Sequence, residues 1–289
     1  MTARLRSYVD LVRAPAALTV VGDTVAGAAA AGMPLRGRQW ALPLSSVALY
    51  WAGMALNDWA DRKLDAVERP ERPIPSGRVT PGAALVTGGA LTAAGLGLAG
   101  FGGGQRAART AAVLAAAVWT YDTRLKGTAL GPVGMSVCRA LDVLLGAGGR
   151  WRPAAPAACA LAVHTLGVTA LSGGEVHGGS VTTAGAALAG TTAATGIAVA
   201  GRGGANGGAS RIAALGFGAG YAFTVGAAQL GAARRPTAAS VRTATAAGIH
   251  GMVPLQASLA ARNGAVRTAA VLAAALPLAR KLARKVSPT

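Results

Sequence analysis

The sequence predicts an all-α fold, a polytopic bundle of transmembrane helices, and three observations carry that prediction. Hydrophobic residues make up 52% of the 289 and charged residues only 13%, where soluble globular chains carry roughly a quarter charged. The apolar residues fall in blocks of about 17 to 22, long enough to cross a hydrocarbon core of roughly 30 Å at 1.5 Å per residue. Aromatic residues supply only 4% while Gly reaches 42, so the apolar surface comes from small side chains that let helix backbones pack closely. A water-soluble globule does not fit this composition.

In chain order the blocks lie at 14–32, 40–56, 82–101, 108–123, 129–147, 155–172, 181–200, 210–232, 241–260 and 266–281. The N-terminus lacks a basic region, short apolar core and small-residue cleavage site arranged as a removable signal, so the first block is expected to remain as a span. The ten blocks fill most of the chain, which predicts a single transmembrane domain over 1–289 with no separate extramembrane domain and no legible internal repeat. Ala and Gly are weakly lipophilic, which keeps the mean hydropathy at a modest +0.44.

A net charge of +18 would in a soluble chain point to nucleic acid. Here the cations sit in loops, and nucleic acid is not an expected partner; the lipid bilayer is. Arg4, Arg6 and Arg13 precede the first span, and Arg62, Lys63, Arg69, Arg72 and Arg78 follow the second, so the positive-inside rule puts the N-terminus in the cytoplasm of a multi-pass cell-membrane protein. With ten crossings, Arg280, Lys281, Arg284 and Lys285 also fall inside. Arg36, Arg38, Arg150, Arg152 and Arg202 stay outside and weaken the bias without reversing it. Cys138 and Cys159 lack CxxC spacing and read as buried core thiols. No ligand role is expected for His164, His177 or His250.

Function becomes legible after the second span, in Asn57-Asp58-Trp59-Ala60-Asp61-Arg62-Lys63-Leu64-Asp65 followed by the proline-rich Glu68 to Arg78; five of the ten acidic residues lie there. Asn57, Asp61 and Asp65 are spaced i, i+4, i+8, so a continuing helix points three oxygen-bearing groups from one face. Neighbouring carboxylates repel unless a cation sits among them, and hard ions such as Mg2+ take oxygen ligands completed by substrate phosphate. Asp58 leans toward the same side, as a further ligand or a partner of one. Pro70, Pro73 and Pro75 stiffen the path expected to present Arg69, Arg72 and Arg78 back to the acidic face. The plainer alternative is a solvated helix end with Asp58 and Arg62 as an i,i+4 ion pair.

The run Asn-Asp-x-x-Asp-x-x-x-Asp leading into Arg-Pro-x-x-Pro-x-Gly resembles the first aspartate-rich signature of the UbiA family of intramembrane prenyltransferases, and the likeness covers essentially the whole chain. Arg13-Ala14-Pro15, Tyr121-Asp122-x-x-Leu125-Lys126 and Cys138-Arg139-Ala140-Leu141-Asp142 look like an actinobacterial branch related to its EboC-like members. The resemblance implies nine core spans around a central cavity, with metal and diphosphate at its cytoplasmic mouth; the tenth block would be an addition. It further implies that Mg2+ assists departure of diphosphate from an isoprenyl diphosphate donor, after which an aromatic or lipid-like small-molecule acceptor captures the allylic carbon. Asn57, Asp61 and Asp65 would hold the metal, while Lys126, Arg72 and Arg13 would grip phosphate oxygens.

The family's second aspartate-rich motif, expected after the sixth span, is here Thr169 to His177 and offers only Glu175. Glu175 is therefore the candidate second-metal ligand, with Ser172 or Asp122 completing the set. The alternative is a non-catalytic homologue that binds or helps export a lipid-like molecule; a transporter or channel is a weaker reading. Asp23, Arg139 and Asp142 lie at hydrocarbon depth, where unpaired charges cost at least roughly 2.5 kcal/mol each and so face the interior. Arg139 and Asp142 form a candidate i,i+3 ion pair, and Asp23 or Asp142 is a candidate for orienting a polar acceptor. Trp51, Trp59, Trp119 and Tyr121 are expected near the inner ends of spans two and four as interfacial anchors, with Tyr121 a candidate substrate contact.

Overall fold

The computed structural model describes residues 2–33, 35–200 and 207–275, and the elements formed there are helices. Helix α1 (Ala3–Leu11) is capped by Thr2, whose hydroxyl accepts from the Leu5 amide. A 3-10 turn at Ala14–Ala17 enters α2 (Leu18–Ala30), and a second at Gly37–Trp40 enters α3 (Ala41–Ala60). After α4 (Arg62–Glu68), Thr80 caps and Pro81 opens α5 (Pro81–Thr120), which ends in a π-turn at Tyr121–Leu125. Next come α6 (Gly131–Gly146), α7 (Trp151–Ser172), α8 (Val181–Val199), α9 (Gly207–Arg234), α10 (Ala238–Arg262) and α11 (Val266–Ala275). Ser180 and Thr237 cap α8 and α10 through their hydroxyls.

The predicted third and fourth spans meet without an intervening loop. Helical backbone runs through 81–120 except at Gly104, whose φ of 68° reverses the path. Before the reversal, Gly88, Gly95 and Gly102 face Leu56, Leu49 and Ala41; after it, Val118 reaches Gly53. The two halves of α5 therefore run along α3 in opposite senses. Of the tenth block, 266–275 is helical, while 276–281, Arg202 and the cations Arg280, Lys281, Arg284 and Lys285 lie outside the described residues.

The helices close a ring: α3 packs on α5, α5 on α6, and so in order through α10, which returns to α2. Small residues set the crossings. A Cβ on Gly27 would collide with the Val143 carbonyl, and one on Gly146 with the Thr24 backbone, so α2 and α6 meet backbone to backbone. Pro81–Leu125, Trp151–Ser172 and Gly207–Arg234 are long and apolar enough to cross a membrane on composition alone. Helices α2 and α6, with 13 and 16 residues, are shorter.

Two finer expectations, for Cys159 and Trp51, are corrected. Cys138 is buried but Cys159 faces outward from α7. Trp51 sits at the middle of α3 rather than its end. His164 is a satisfied core residue, bonded to the Tyr221 hydroxyl at 2.8 Å and the Gly248 carbonyl at 3.1 Å.

Candidate active site

The acidic face survives a break in the helix. Asp61 ends α3 and caps α4, yet its amide bonds to the Asn57 carbonyl and the Asp65 amide to the Asp61 carbonyl, each at 2.9 Å. That i→i−4 continuity keeps Asn57, Asp61 and Asp65 in line, and Asn57, Asp58 and Asp65 are buried.

A second row of side chains faces the first. The π-turn widens the backbone after α5, with the Lys126 amide reaching back to the Tyr121 carbonyl at 2.9 Å; such widenings recur at functional sites. Asp122 accepts from the Asn57 amide at 3.1 Å, and one turn on Lys126 pairs with Asp61. Both rows advance by four residues, so 57 meets 122 and 61 meets 126.

The proline-rich loop supplies the third side. Ile74 and Val79 are buried with Leu11, Ala55 and Ala84, which anchors the loop on α3. Arg72 thereby lies 2.6 Å from Asp65 and 3.5 Å from Asp58, with Arg69 at 4.0 Å from Asp65. Arg78 departs from expectation: it pairs with Asp10 at 2.8 Å and the Glu71 carbonyl at 2.9 Å, tying the loop to α1 rather than to the acidic face. Arg13 completes the rim, 2.9 Å from Asp58. Its φ of 47° is left-handed, uncommon without a compensating contact. With Arg13 and Arg72 on Asp58, the expected Asp58–Arg62 pair does not form; Arg62 stacks over Trp59 instead, 4.7 Å from the ring centre.

This rim surrounds the mouth of a cavity of about 320 Å3 between α2, α3, α5 and α6. Leu49, Leu114, Val118 and Met135 make its wall apolar, and Arg13, Asn57, Arg72, Tyr121, Asp122 and Lys126 line its opening. The floor is polar. Arg139 crosses to Asp23 on α2 at 2.6 Å, and Gln256 on α10 donates to the other Asp23 oxygen at 2.7 Å. The expected Arg139–Asp142 pair is therefore replaced: Asp142 turns to α3 and accepts from Ser46 at 2.8 Å. Arg139 and Asp142 line the cavity, whereas Asp23 lies behind Arg139 and is fully buried.

Glu175 is not drawn in. It sits between α7 and α8 with its carbonyl held by Arg242 at 2.7 Å, its side chain does not line the cavity, and among the described residues its carboxylate joins no ion pair. Ser172 bonds to its own helix at Thr169 and Asp122 to Asn57, so neither completes a set around it. Among the described residues, no three Asp, Glu, His or Cys side chains converge tightly enough to hold a metal unaided. The chemical reason is visible: Asp58, Asp61 and Asp65 are each held by Arg or Lys, and Asp122 by the Asn57 amide.

The profile of the UbiA prenyltransferase family matches residues 18–172, more than half of the chain and all of the mouth residues from Asn57 to Lys126. The chain belongs to the UbiA prenyltransferase family. Among similar proteins are the digeranylgeranylglyceryl phosphate synthases of Methanopyrus kandleri, 38% identical over 52% of this chain and 55% of that relative, and Ignicoccus hospitalis, 37% identical over 50% and 48%. The chain spans about half the length of these curated relatives. They are archaeal and carry no information on the actinobacterial branch. In fold, the UbiA chain resembles a solved digeranylgeranylglyceryl phosphate synthase with a TM-score of 0.64, covering 92% of this chain and 100% of that one at 17% identity. It likewise resembles a UbiA homologue from Aeropyrum pernix with a TM-score of 0.66, covering 84% and 96% at 17% identity. Membership and apolar helices together make this a multi-pass membrane protein.

Sequence reading passed over Asp122 as a leading site residue, although its i,i+4 relation to Lys126 mirrors that of Asn57 and Asp61. Ser46 and Gln256 were also missed; they reach their partners only through contacts 96 and 233 residues apart.

Proposed function

We propose that this UbiA protein is an integral-membrane prenyltransferase acting on an isoprenyl diphosphate donor. The observation that carries the reading is the alternation of charge at the mouth of an apolar cavity: Asp58, Asp61, Asp65 and Asp122 stand beside Arg13, Arg69, Arg72 and Lys126. A metal-bridged diphosphate offers both signs and can take over both halves of these pairs, the cation meeting carboxylate oxygens and the phosphates meeting bases. The oxygen donors Asn57, Asp58, Asp61, Asp65 and Asp122 suit Mg2+ in kind. Bound there, Mg2+ would supply charge neutralisation for the departing diphosphate.

The chain's own groups do the remaining work. Arg72 and Arg13 offer planar forks and Lys126 a point charge to the leaving oxygens. As the allylic C–O bond breaks, the apolar wall accommodates the isoprenyl chain and keeps water from the cationic carbon. Ser46, Arg139 and Asp142 on the floor orient the polar end of an acceptor, which bonds to the allylic carbon as diphosphate departs and whose proton leaves with the diphosphate anion. The name of the similar archaeal enzymes favours a lipid-like over an aromatic acceptor. Positive-inside bias supports a mouth facing the cytoplasm, and the ring of helices supports one unit of nine spans with α11 as an addition.

Purified protein given Mg2+, labelled allylic diphosphates of several lengths and a panel of acceptors tests the reading. Diphosphate release by wild type and its loss in Asp61→Ala are expected; equal release by both refutes it. The placement of Glu175 away from the mouth favours a second reading, a homologue that binds its lipid without turnover. Saturable donor binding with no transfer to any acceptor would select that reading.

A further inference from the structure

The end of the bundle opposite the mouth carries a second cavity, of about 310 Å3, where three interhelical turns converge. Each turn contributes one arginine: Arg38 before α3, Arg106 at the reversal of α5, and Arg150 between α6 and α7. The 20 residues of α3 separate this cavity from the acidic face by about 30 Å.

The turns are fastened together. Gly149, with φ of 77°, lies so close to Arg106 that a Cβ would stand 2.8 Å from the Arg106 Cβ and 2.9 Å from its carbonyl oxygen. A Cβ on Gly102 would stand 3.1 Å from the Arg38 carbonyl oxygen, and Arg150 donates to the Ala31 carbonyl at 3.4 Å. The fastened turns thus bring three arginines around one glycine-lined hollow. Like charges gathered this way need a counterion, and the chain provides none there. All ten acidic residues lie elsewhere, the turns at 31–40, 100–107 and 147–151 having none, and among the described residues Arg38, Arg106 and Arg150 join no ion pair. Trp40 and Trp151, 52% and 50% exposed, directly follow the lining residues Gln39 and Arg150 in the chain. Exposed tryptophans at helix ends mark the headgroup level of a bilayer, the depth at which lipid phosphates sit.

We propose that Arg38, Arg106 and Arg150 form a phosphate-binding site for the headgroup of an anionic membrane lipid at the end of the bundle remote from the mouth. Arg suits the role because its fork meets phosphate oxygens in pairs, and the glycines let the headgroup approach the backbone. The site is independent of the transfer chemistry.

The test titrates the full chain in neutral detergent with phosphatidylglycerol, with phosphatidylcholine and with inorganic phosphate, following the melting temperature and lipid retention by native mass spectrometry. Phosphatidylglycerol should raise the melting temperature and remain bound, with phosphatidylcholine and millimolar phosphate much weaker. The triple change R38Q/R106Q/R150Q should weaken phosphatidylglycerol roughly a hundredfold, at about a factor of five per arginine, without altering diphosphate release. Equal stabilisation by inorganic phosphate overturns the lipid source. Undiminished phosphatidylglycerol binding in the triple variant overturns the site. Should that variant not fold, the salt dependence of the wild type decides: affinity must fall steeply between low and high salt, and a flat response overturns the proposal.

Discussion

Replacing Gly146 with alanine puts a methyl group into the backbone of Thr24. The Cβ would overlap the Thr24 Cα, carbonyl carbon and carbonyl oxygen, and the reciprocal contact places Gly27 against the Val143 carbonyl. Backbone atoms on both sides cannot rotate away as a side-chain end could, so α2 and α6 must separate. Overpacking of this kind costs about 1–3 kcal/mol, and 2 kcal/mol corresponds to a fall in Tm of about 3 °C in a chain of this size. The same movement pulls Asp23 from Arg139, which span these two helices at 2.6 Å, so activity should fall with stability. Gly97 is the control, because a Cβ there meets nothing within 4 Å. Gly97→Ala should be neutral or stabilise by up to ~1 kcal/mol, since Gly inside a helix is the weaker former. Circular dichroism melts of the three proteins in one detergent decide the matter. A Gly146→Ala protein melting at or above wild type would refute the backbone-contact reasoning.

Further outcomes follow from the same geometry. Arg139→Gln leaves the buried Asp23 carboxylate without its cation and should cost about 3–5 kcal/mol, seen as a lowered melt, whereas Asp23→Asn combined with Arg139→Gln should recover part of the loss. Glu175→Gln should change diphosphate release less than about threefold, since its carboxylate neither lines the mouth nor joins an ion pair there; a loss beyond tenfold, by about 1.4 kcal/mol or more, would bring Glu175 into the site. Arg72→Gln and Lys126→Gln should each lower kcat/KM for the donor by about 10²–10³-fold, the scale for removing one charge-stabilising contact from a transition state. Unchanged turnover in both would remove them from phosphate binding.

Much of this arrangement could be read from local spacing, because a helix fixes which residues share a face. Asn57, Asp61 and Asp65 were legible as one row for that reason, and the row persists through the break at Asp61 because the i→i−4 hydrogen bonds persist. Who meets that row was less legible. Asp58 has Arg62 one turn on, but its partners are Arg13 and the loop's Arg72, chosen by how the anchored loop and the left-handed Arg13 enter the rim. Arg139 shows the same limit: the i,i+3 relation to Asp142 was available, yet the close approach of α2 brought Asp23 nearer. The reversal at Gly104 was legible as the gap between the blocks 82–101 and 108–123; that a single positive φ makes it without a loop was not, because such a residue leaves no mark in a run already rich in glycine.

The most direct measurement needs no acceptor. Isothermal titration of the protein with inorganic diphosphate, in the presence and absence of Mg2+, asks whether the alternating rim recognises a metal-bridged diphosphate. Binding is predicted to need both ions, each tightening the other by the same factor, and to vanish in Asp61→Ala. Diphosphate that binds equally well without Mg2+, or equally well to Asp61→Ala, would contradict the assignment of the acidic face.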